Sequence, residues 1–216
     1  MKKFEKVAII DYGVGNLFSV NKAFSRIGVD SFITSEPMEI LESTRVVLPG
    51  VGAFGHGMQK LVEAGLEVVV KEVASSGKPL LGICLGAQLL LENSQEFGKT
   101  SGLGIIKGEV IEIPKESKTE ENIRVPHIGW NGLNYSGGTA STKGTILESI
   151  PEMSMTYFVH SYMLSPENPA HRLAEVDYHG LNITAVIQEK NVVGTQFHPE
   201  KSGETGLKLL RNFCGI

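Results

Sequence analysis

Short, unbroken apolar runs alternate with stretches of helical spacing through the first half of the chain. Val7 to Ile10, Arg45 to Leu48 and Pro79 to Ile83 are continuous rather than alternating, the pattern of strands buried on both faces. Ser31 to Thr34 is a weaker run of the same kind. Between them, Leu17, Val20, Ala23, Phe24 and Ile27 recur at helical spacing, and Gly28 ends that helix. Val62 to Val73 mixes two registers and reads as two short helices joined near Gly65, and Ala87 to Glu92 starts another helix. Strands and helices in alternation predict a parallel sheet with helices on both sides.

Past about Gly102 the texture changes. Ile105-Ile106, Val110 to Ile113, Ile123 to Val125, Thr156 to Val159, Arg172 to Val176, Thr184 to Ile187 and Val192 to Gln196 are short strand-like runs with few helical patterns between them. Hairpin connections and antiparallel or mixed pairing are expected there. Pro114 to Asn122 reads as a charged loop and Ser136 to Gly144 as a Gly/Ser/Thr loop. Ser202 is placed to cap a final helix that buries Leu207, Leu210 and Phe213. The expected fold is therefore α/β: a mostly parallel open sheet flanked by helices, with added antiparallel strands in the C-terminal half. A chain of 216 residues with no internal repeat is expected to form one domain over 1–216.

Composition narrows the function classes. A net charge of −4 offers no general attraction to nucleic acid or to an anionic membrane surface. The N-terminal apolar run is only four residues long before Asp11, too short for a secretory or membrane segment. Two cysteines far apart, Cys84 and Cys214, make no disulfide framework and fit a reducing cytoplasm. No Cys/His cluster has metal-ligand spacing, so neither a metal nor a cofactor is expected.

Three segments carry chemistry. Gly82-Ile83-Cys84-Leu85-Gly86 lies between a strand and a helix and is the thiol form of the nucleophile elbow, a sharp turn that pushes the reactive side chain out of the sheet. The helix that follows offers N–H groups and partial positive charge to a thiolate. Phe197-His198-Pro199-Glu200 closes a late strand, where a carboxylate two residues on can accept the imidazole Nδ1–H and leave Nε2 for the thiol. The third segment, Gly50-Val51-Gly52-Ala53-Phe54-Gly55, matches the dinucleotide fingerprint G-x-G-x-x-G. The acid that such a site needs at the end of the next strand is missing, because that strand ends at Cys84. Backbone N–H groups of Val51 and Leu85 beside a nucleophile would instead serve a developing oxyanion, each worth roughly 3–4 kcal/mol when well aimed.

Pro49-Gly50-Val51-Gly52, Gly82 to Gly86 and Phe197 to Glu200, in this order, resemble the class I (triad) glutamine amidotransferases. Pro126-His127-Ile128-Gly129-Trp130-Asn131 and Tyr157-Phe158-Val159-His160-Ser161-Tyr162 are similar to blocks of one branch, the glutaminase subunits of imidazole glycerol phosphate synthase. The likeness runs from Ile9 to Phe213 and departs only mildly, with Ala87 and Ile128 where methionine is common. It implies a flavodoxin-like sheet, a Cys84–His198–Glu200 triad, and an oxyanion site at Val51, Gly52 and Leu85. It also implies glutamine contacts from Gln88 and Glu96 and from the Ser161–Tyr162 backbone, although Glu96 also reads as a solvated loop acid. The implied partner is a (β/α)8 cyclase subunit that receives ammonia. His127, Trp130, Asn131 and Lys201 are candidates for its interface, and activation would proceed through a rearrangement at the Pro49–Gly52 turn.

Three rival readings compete with this one. A paralogous glutaminase could supply ammonia for surface-sugar amidation. A cysteine peptidase or hydrolase on a related fold would act on peptides or esters. A non-catalytic thiol sensor would have no use for an acid–base pair such as His198 and Glu200.

Overall fold

The computed structural model describes residues 6–115, 123–135 and 142–215. Its N-terminal part runs β1 (Lys6–Ile10), α1 (Leu17–Arg26), β2 (Asp30–Thr34), α2 (Pro37–Glu42), β3 (Arg45–Gly50), α3 (Phe54–Glu63), α4 (Leu66–Ser75), β4 (Leu80–Cys84) and α5 (Leu85–Leu89). Short strands β5 (Asn93–Ser94) and β6 (Thr100–Ser101) follow, then β7 (Gly108–Glu112), β8 (His127–Gly132) and β9 (Asn134–Tyr135). The chain continues with β10 (Met155–His160), β11 (Tyr162–Pro166), β12 (Arg172–Tyr178), β13 (Leu181–Glu189) and β14 (Val192–Thr195), and closes with α6 (Gly203–Gly215).

The main sheet has the order β2-β1-β3-β4-β14-β13-β12-β9. Its first five strands are parallel, in the order shared by flavodoxin-like sheets. From β14 onward the pairing is antiparallel. This is the α/β arrangement that the two textures of the sequence predict. Strands β1, β3 and β4 are buried along both faces, which is why their sequences show no alternation. Val20, Ala23 and Phe24 of α1 pack into the core on one side together with Leu207, Leu210 and Phe213 of α6. Leu61, Val69, Val70 and Val73 of α3 and α4 pack into the core on the other. Two smaller sheets, β10-β8 and β11-β7-β5-β6, accompany the main sheet.

Several local expectations change. Ile105 and Ile106 form no strand, because both N–H groups go to the Leu90 carbonyl and Leu103 N–H goes to Leu89, satisfying the C-terminal end of α5. Ile123 to Val125 form no strand either: Ile123 N–H is taken by Lys115, and Pro126 has no N–H to donate. Helix α5 begins at Leu85, two residues earlier than expected, and is only five residues long. The first of the two helices joined at Gly65 extends back to Phe54, and Gly65 is left-handed at φ 68°. Strand β14 ends at Thr195, short of Phe197. Helix α2 leaves no apolar periodicity in the sequence, since Ile40 is its only buried residue. The Ser202 hydroxyl accepts from Tyr157 N–H at 3.0 Å and donates to the His198 carbonyl at 2.7 Å, tying the start of α6 to β10 and to His198. Positions 116–122 and 136–141 of the two expected loops lie outside the described residues.

Candidate active site

Strands β3, β4 and β14 end side by side, with Gly50 paired to Cys84 and Thr195 to Ile83, so the residues that follow them meet at the carboxyl edge of the sheet. Cys84 sits at φ 52° and ψ −109°, a conformation that non-glycine residues adopt at a cost of about 1–3 kcal/mol. Strand β4 must turn into α5 without an intervening loop, and close packing on both sides holds this turn. A Cβ on Gly82 would lie 2.7 Å from Ala87 Cα, and one on Gly86 would lie 1.8 Å from the Leu48 carbonyl oxygen. Five residues make a weak dipole, so the charge that acts on the sulfur comes mainly from side chains.

His198 and Glu200 are both nearly inaccessible, and Nδ1–H of the ring donates to Glu200 Oε1 at 2.8 Å. Nε2 is buried and has no hydrogen-bond partner among the described residues. Burial disfavours the imidazolium, but the Cys84 sulfur and the Glu200 carboxylate more than offset it and raise the ring to about 10. The ring therefore carries its proton at neutral pH.

A cavity of about 350 Å³ opens over the sulfur. Val51, Gly52, Cys84, Leu85, Gln88, Glu96, Ser161, Tyr162 and His198 line it, so of the expected catalytic, oxyanion and glutamine-contact residues only Glu200 stands off its wall, behind His198. The end of β3 is tethered where the Tyr12 hydroxyl donates to the Pro49 carbonyl at 2.8 Å. The far side of the turn is held where the Glu96 carboxylate accepts Phe54 N–H at the start of α3. Glu96 is thus no simple solvated acid, and it occupies the helix terminus that a dinucleotide phosphate would need. Gln88 Nε2 donates to the Tyr162 carbonyl at 3.0 Å, which fixes the chain at Ser161–Tyr162.

The four interface candidates separate. Trp130 is 53% exposed and meets Tyr157 edge-on across the β8–β10 ribbon, with Lys201 Nζ 5.9 Å from the Tyr157 ring centroid. Ile128, Val159 and Met155 are exposed on the same two strands, so this outer face is apolar beside the cavity. Asn131 is half-buried and spends its amide on the Asp177 carbonyl. His127 corrects the expectation: it is 2% exposed, stacked on Phe158 and tilted against Tyr178, and presents no surface to a partner.

His127 belongs instead to a pair that sequence reasoning missed. Its Nδ1 lies 3.1 Å from His160 Nε2, and His160 Nδ1 lies 2.8 Å from the Tyr162 carbonyl. A carbonyl only accepts, so His160 carries its proton on Nδ1 and His127 donates to it; both rings are neutral. Burial, helped by His179, lowers His127 to about 4. Burial lowers His160 to about 3, with the Tyr162 carbonyl opposing and His127 and His198 adding to the depression. The unfolded chain takes up protons at these rings below about 6.5, which the folded chain refuses until far lower pH. Their contribution to stability is therefore complete above 6.5 and is lost as pH falls through about 4 and then 3. His198 is protonated in both states below 6.5 and adds no slope there. Urea unfolding between about pH 6 and 5 should show stability falling with acid, and His127→Gln should flatten that slope. Parallel slopes in the two proteins would remove His127 as a cause.

With this geometry in place, the chain belongs to the glutamine amidotransferase class-I family, whose model matches residues 8–215. It is similar to the imidazole glycerol phosphate synthase subunit HisH 1 of Legionella pneumophila (strain Lens), 48% identical over 97% of this chain and 99% of the relative. It is also similar to the HisH subunit of Bacillus subtilis (strain 168), 42% identical over 96% and 94%. PurLQS from Thermotoga maritima shares the fold at a TM-score of 0.72 and 17% identity, over 99% of each chain. The glutaminase domain of Trypanosoma brucei CTPS shares it at 0.62 and 18%, over 97% of this chain and 94% of that one. Among the described residues no helix is long and apolar enough to cross a membrane, and no group of ligating side chains could hold a metal.

Proposed function

We propose that this chain, as one domain, is the cytoplasmic glutaminase subunit of an imidazole glycerol phosphate synthase in histidine biosynthesis. It hydrolyses L-glutamine to glutamate and ammonia, which passes to a (β/α)8 cyclase subunit. The observation that carries the reading is the approach of Cys84 and the His198–Glu200 dyad on one cavity, although more than a hundred positions separate them in sequence. Near-complete relatives at 42–48% identity supply the choice of pathway and favour it over surface-sugar amidation.

The Cys84 thiolate attacks the side-chain amide carbon of glutamine, and the Val51 and Leu85 N–H groups, with Gly52 between β3 and α3 at φ 95°, receive the oxyanion. The His198 imidazolium gives its proton to the departing ammonia, leaving a thioester on Cys84. His198 then takes a proton from water, whose oxygen attacks the thioester and frees glutamate. Glu200 keeps the ring in the tautomer that both steps need. Gln88 and Glu96 orient the substrate, with the Ser161–Tyr162 backbone along its length. Trp130 and the apolar ribbon face suit the partner, because aromatic residues are enriched in interface cores, and Lys201 beside them suits the polar rim. Asn131, whose amide is already engaged, is a minor contributor.

The test is glutamate release from glutamine by the chain alone, then with the cyclase subunit and its acceptor ligand. A rise of about tenfold or more on engagement is expected if the turn after β3 must rearrange to aim Val51 N–H. High activity that no partner or ligand changes would overturn the synthase assignment, and no glutamate release in any mixture would overturn the glutaminase itself.

A further inference from the structure

Gln196 has no part in the steps above, yet it lies beside the reacting sulfur. It follows β14 directly, is fully buried, and its backbone N–H bonds to the Ala185 carbonyl at 2.9 Å. Its side-chain Nε2 is 3.9 Å from Cys84 Sγ, and its Oε1 accepts from Gln88 Nε2 at 3.2 Å. The direction of every bond here follows from one atom. The Tyr162 carbonyl can only accept, so it fixes Gln88 Nε2 as donor. The second N–H of that amide then requires an oxygen, which fixes Gln196 Oε1, and the Gln196 NH2 is thereby turned to the sulfur. Gln88 is left with its own Oε1 as the acceptor still available on a side chain that lines the cavity.

We propose that Gln196 is a positioning residue of the glutaminase site. Its buried amide donates to the Cys84 sulfur, favouring thiolate over thiol, and accepts from Gln88, aiming the Gln88 carbonyl at the substrate. The second role rests on the glutaminase reading; the first concerns the thiol alone. Other groups that act on the sulfur include the His198 ring, backed by Glu200, the Tyr12 phenol and the Val159 carbonyl at 4.0 Å. Of these only the His198 ring also favours the anion. A thiolate accepts an N–H bond far better than a thiol does, so a fixed donor biases the nucleophile's form.

The test uses the full chain with Gln196→Met and Gln196→Glu. Alkylation of Cys84 by iodoacetamide is followed against pH on the Cys84 peptide by mass spectrometry, with Cys214 alkylation as a check on unfolding. In both variants the pH of half-maximal alkylation should rise, by about one unit for Gln196→Glu, which sets an acceptor against the sulfur. In glutamine turnover with the partner bound, Gln196→Glu still accepts from Gln88, so kcat should fall about tenfold with KM within about twofold. Gln196→Met loses both bonds, so KM should rise as well. Alkylation profiles that overlay the wild type in both folded variants would overturn the proposal. Should neither variant fold, the side-chain amide signals of Gln196 in the wild-type chain decide it by NMR. They should titrate together with Cys84 alkylation, and signals that do not move would overturn it. A wild-type chain that releases no glutamate refutes the glutaminase reading and the substrate role, while the alkylation experiment still decides the thiol role.

Discussion

Cys84→Ala should release no measurable ammonia from glutamine, a loss of about 10⁴-fold or more, because the covalent step has no second nucleophile to use. The cavity wall and the oxyanion donors remain in this variant, so glutamine binding should survive while turnover does not. A second readout separates chemistry from damage to the fold. His198 is raised to about 10 against burial by Cys84 and Glu200 together. Without the sulfur only Glu200 opposes burial, so the ring should titrate at lower pH by NMR. Ammonia still released by the variant would place the chemistry elsewhere, and an unmoved His198 titration would mean that the sulfur is not its charge partner.

Gly86→Ala should be strongly destabilising, although it adds a single methyl group. The new Cβ would stand 1.8 Å from the Leu48 carbonyl oxygen, which belongs to a central strand and cannot move without breaking the sheet. Relief requires moving α5 off β3, at a cost of about 4 kcal/mol, a large share of the roughly 5–15 kcal/mol that holds a domain folded. A melting temperature lower by about 8–16 °C, or loss of soluble protein, is expected. Gly55→Ala is the matched control. It lies inside α3, and its Cβ would meet only Thr100 Oγ1 at 3.7 Å. Alanine there should be neutral, or stabilising by about 0.5–1 kcal/mol. A Gly86→Ala protein that melts with the wild type would show that the elbow is not closely packed after all.

The chemistry-bearing segments were legible in the chain because each is local. An elbow needs small residues on either side of its nucleophile, and a ring oriented by a carboxylate two positions on can be read from a single turn. Glu96 was ambiguous because its carboxylate bonds a backbone N–H 42 positions away. The Thr195–Phe197 run displays Gln196, but nothing local says that its amide lies under a sulfur 112 positions earlier. His127 was misassigned for the same reason. Its neighbours Ile128 and Trp130 are exposed, and only strand pairing with β10 shows that the alternation turns His127 inward onto His160.

Alternation of buried runs with amphipathic helices was enough to specify a parallel sheet of this class, since desolvation on both faces leaves its mark residue by residue. Local geometry likewise specified the thiol turn and the His–Glu pair. What required three dimensions was every relation between strands distant in sequence. These include the meeting of β3, β4 and β14 at one edge, the neutral histidine pair, and the amide chain from Tyr162 to the sulfur. Hydrogen-bond direction and burial are set by whichever groups the fold brings within about 3 Å, and that proximity is a property of topology, not of spacing along the chain.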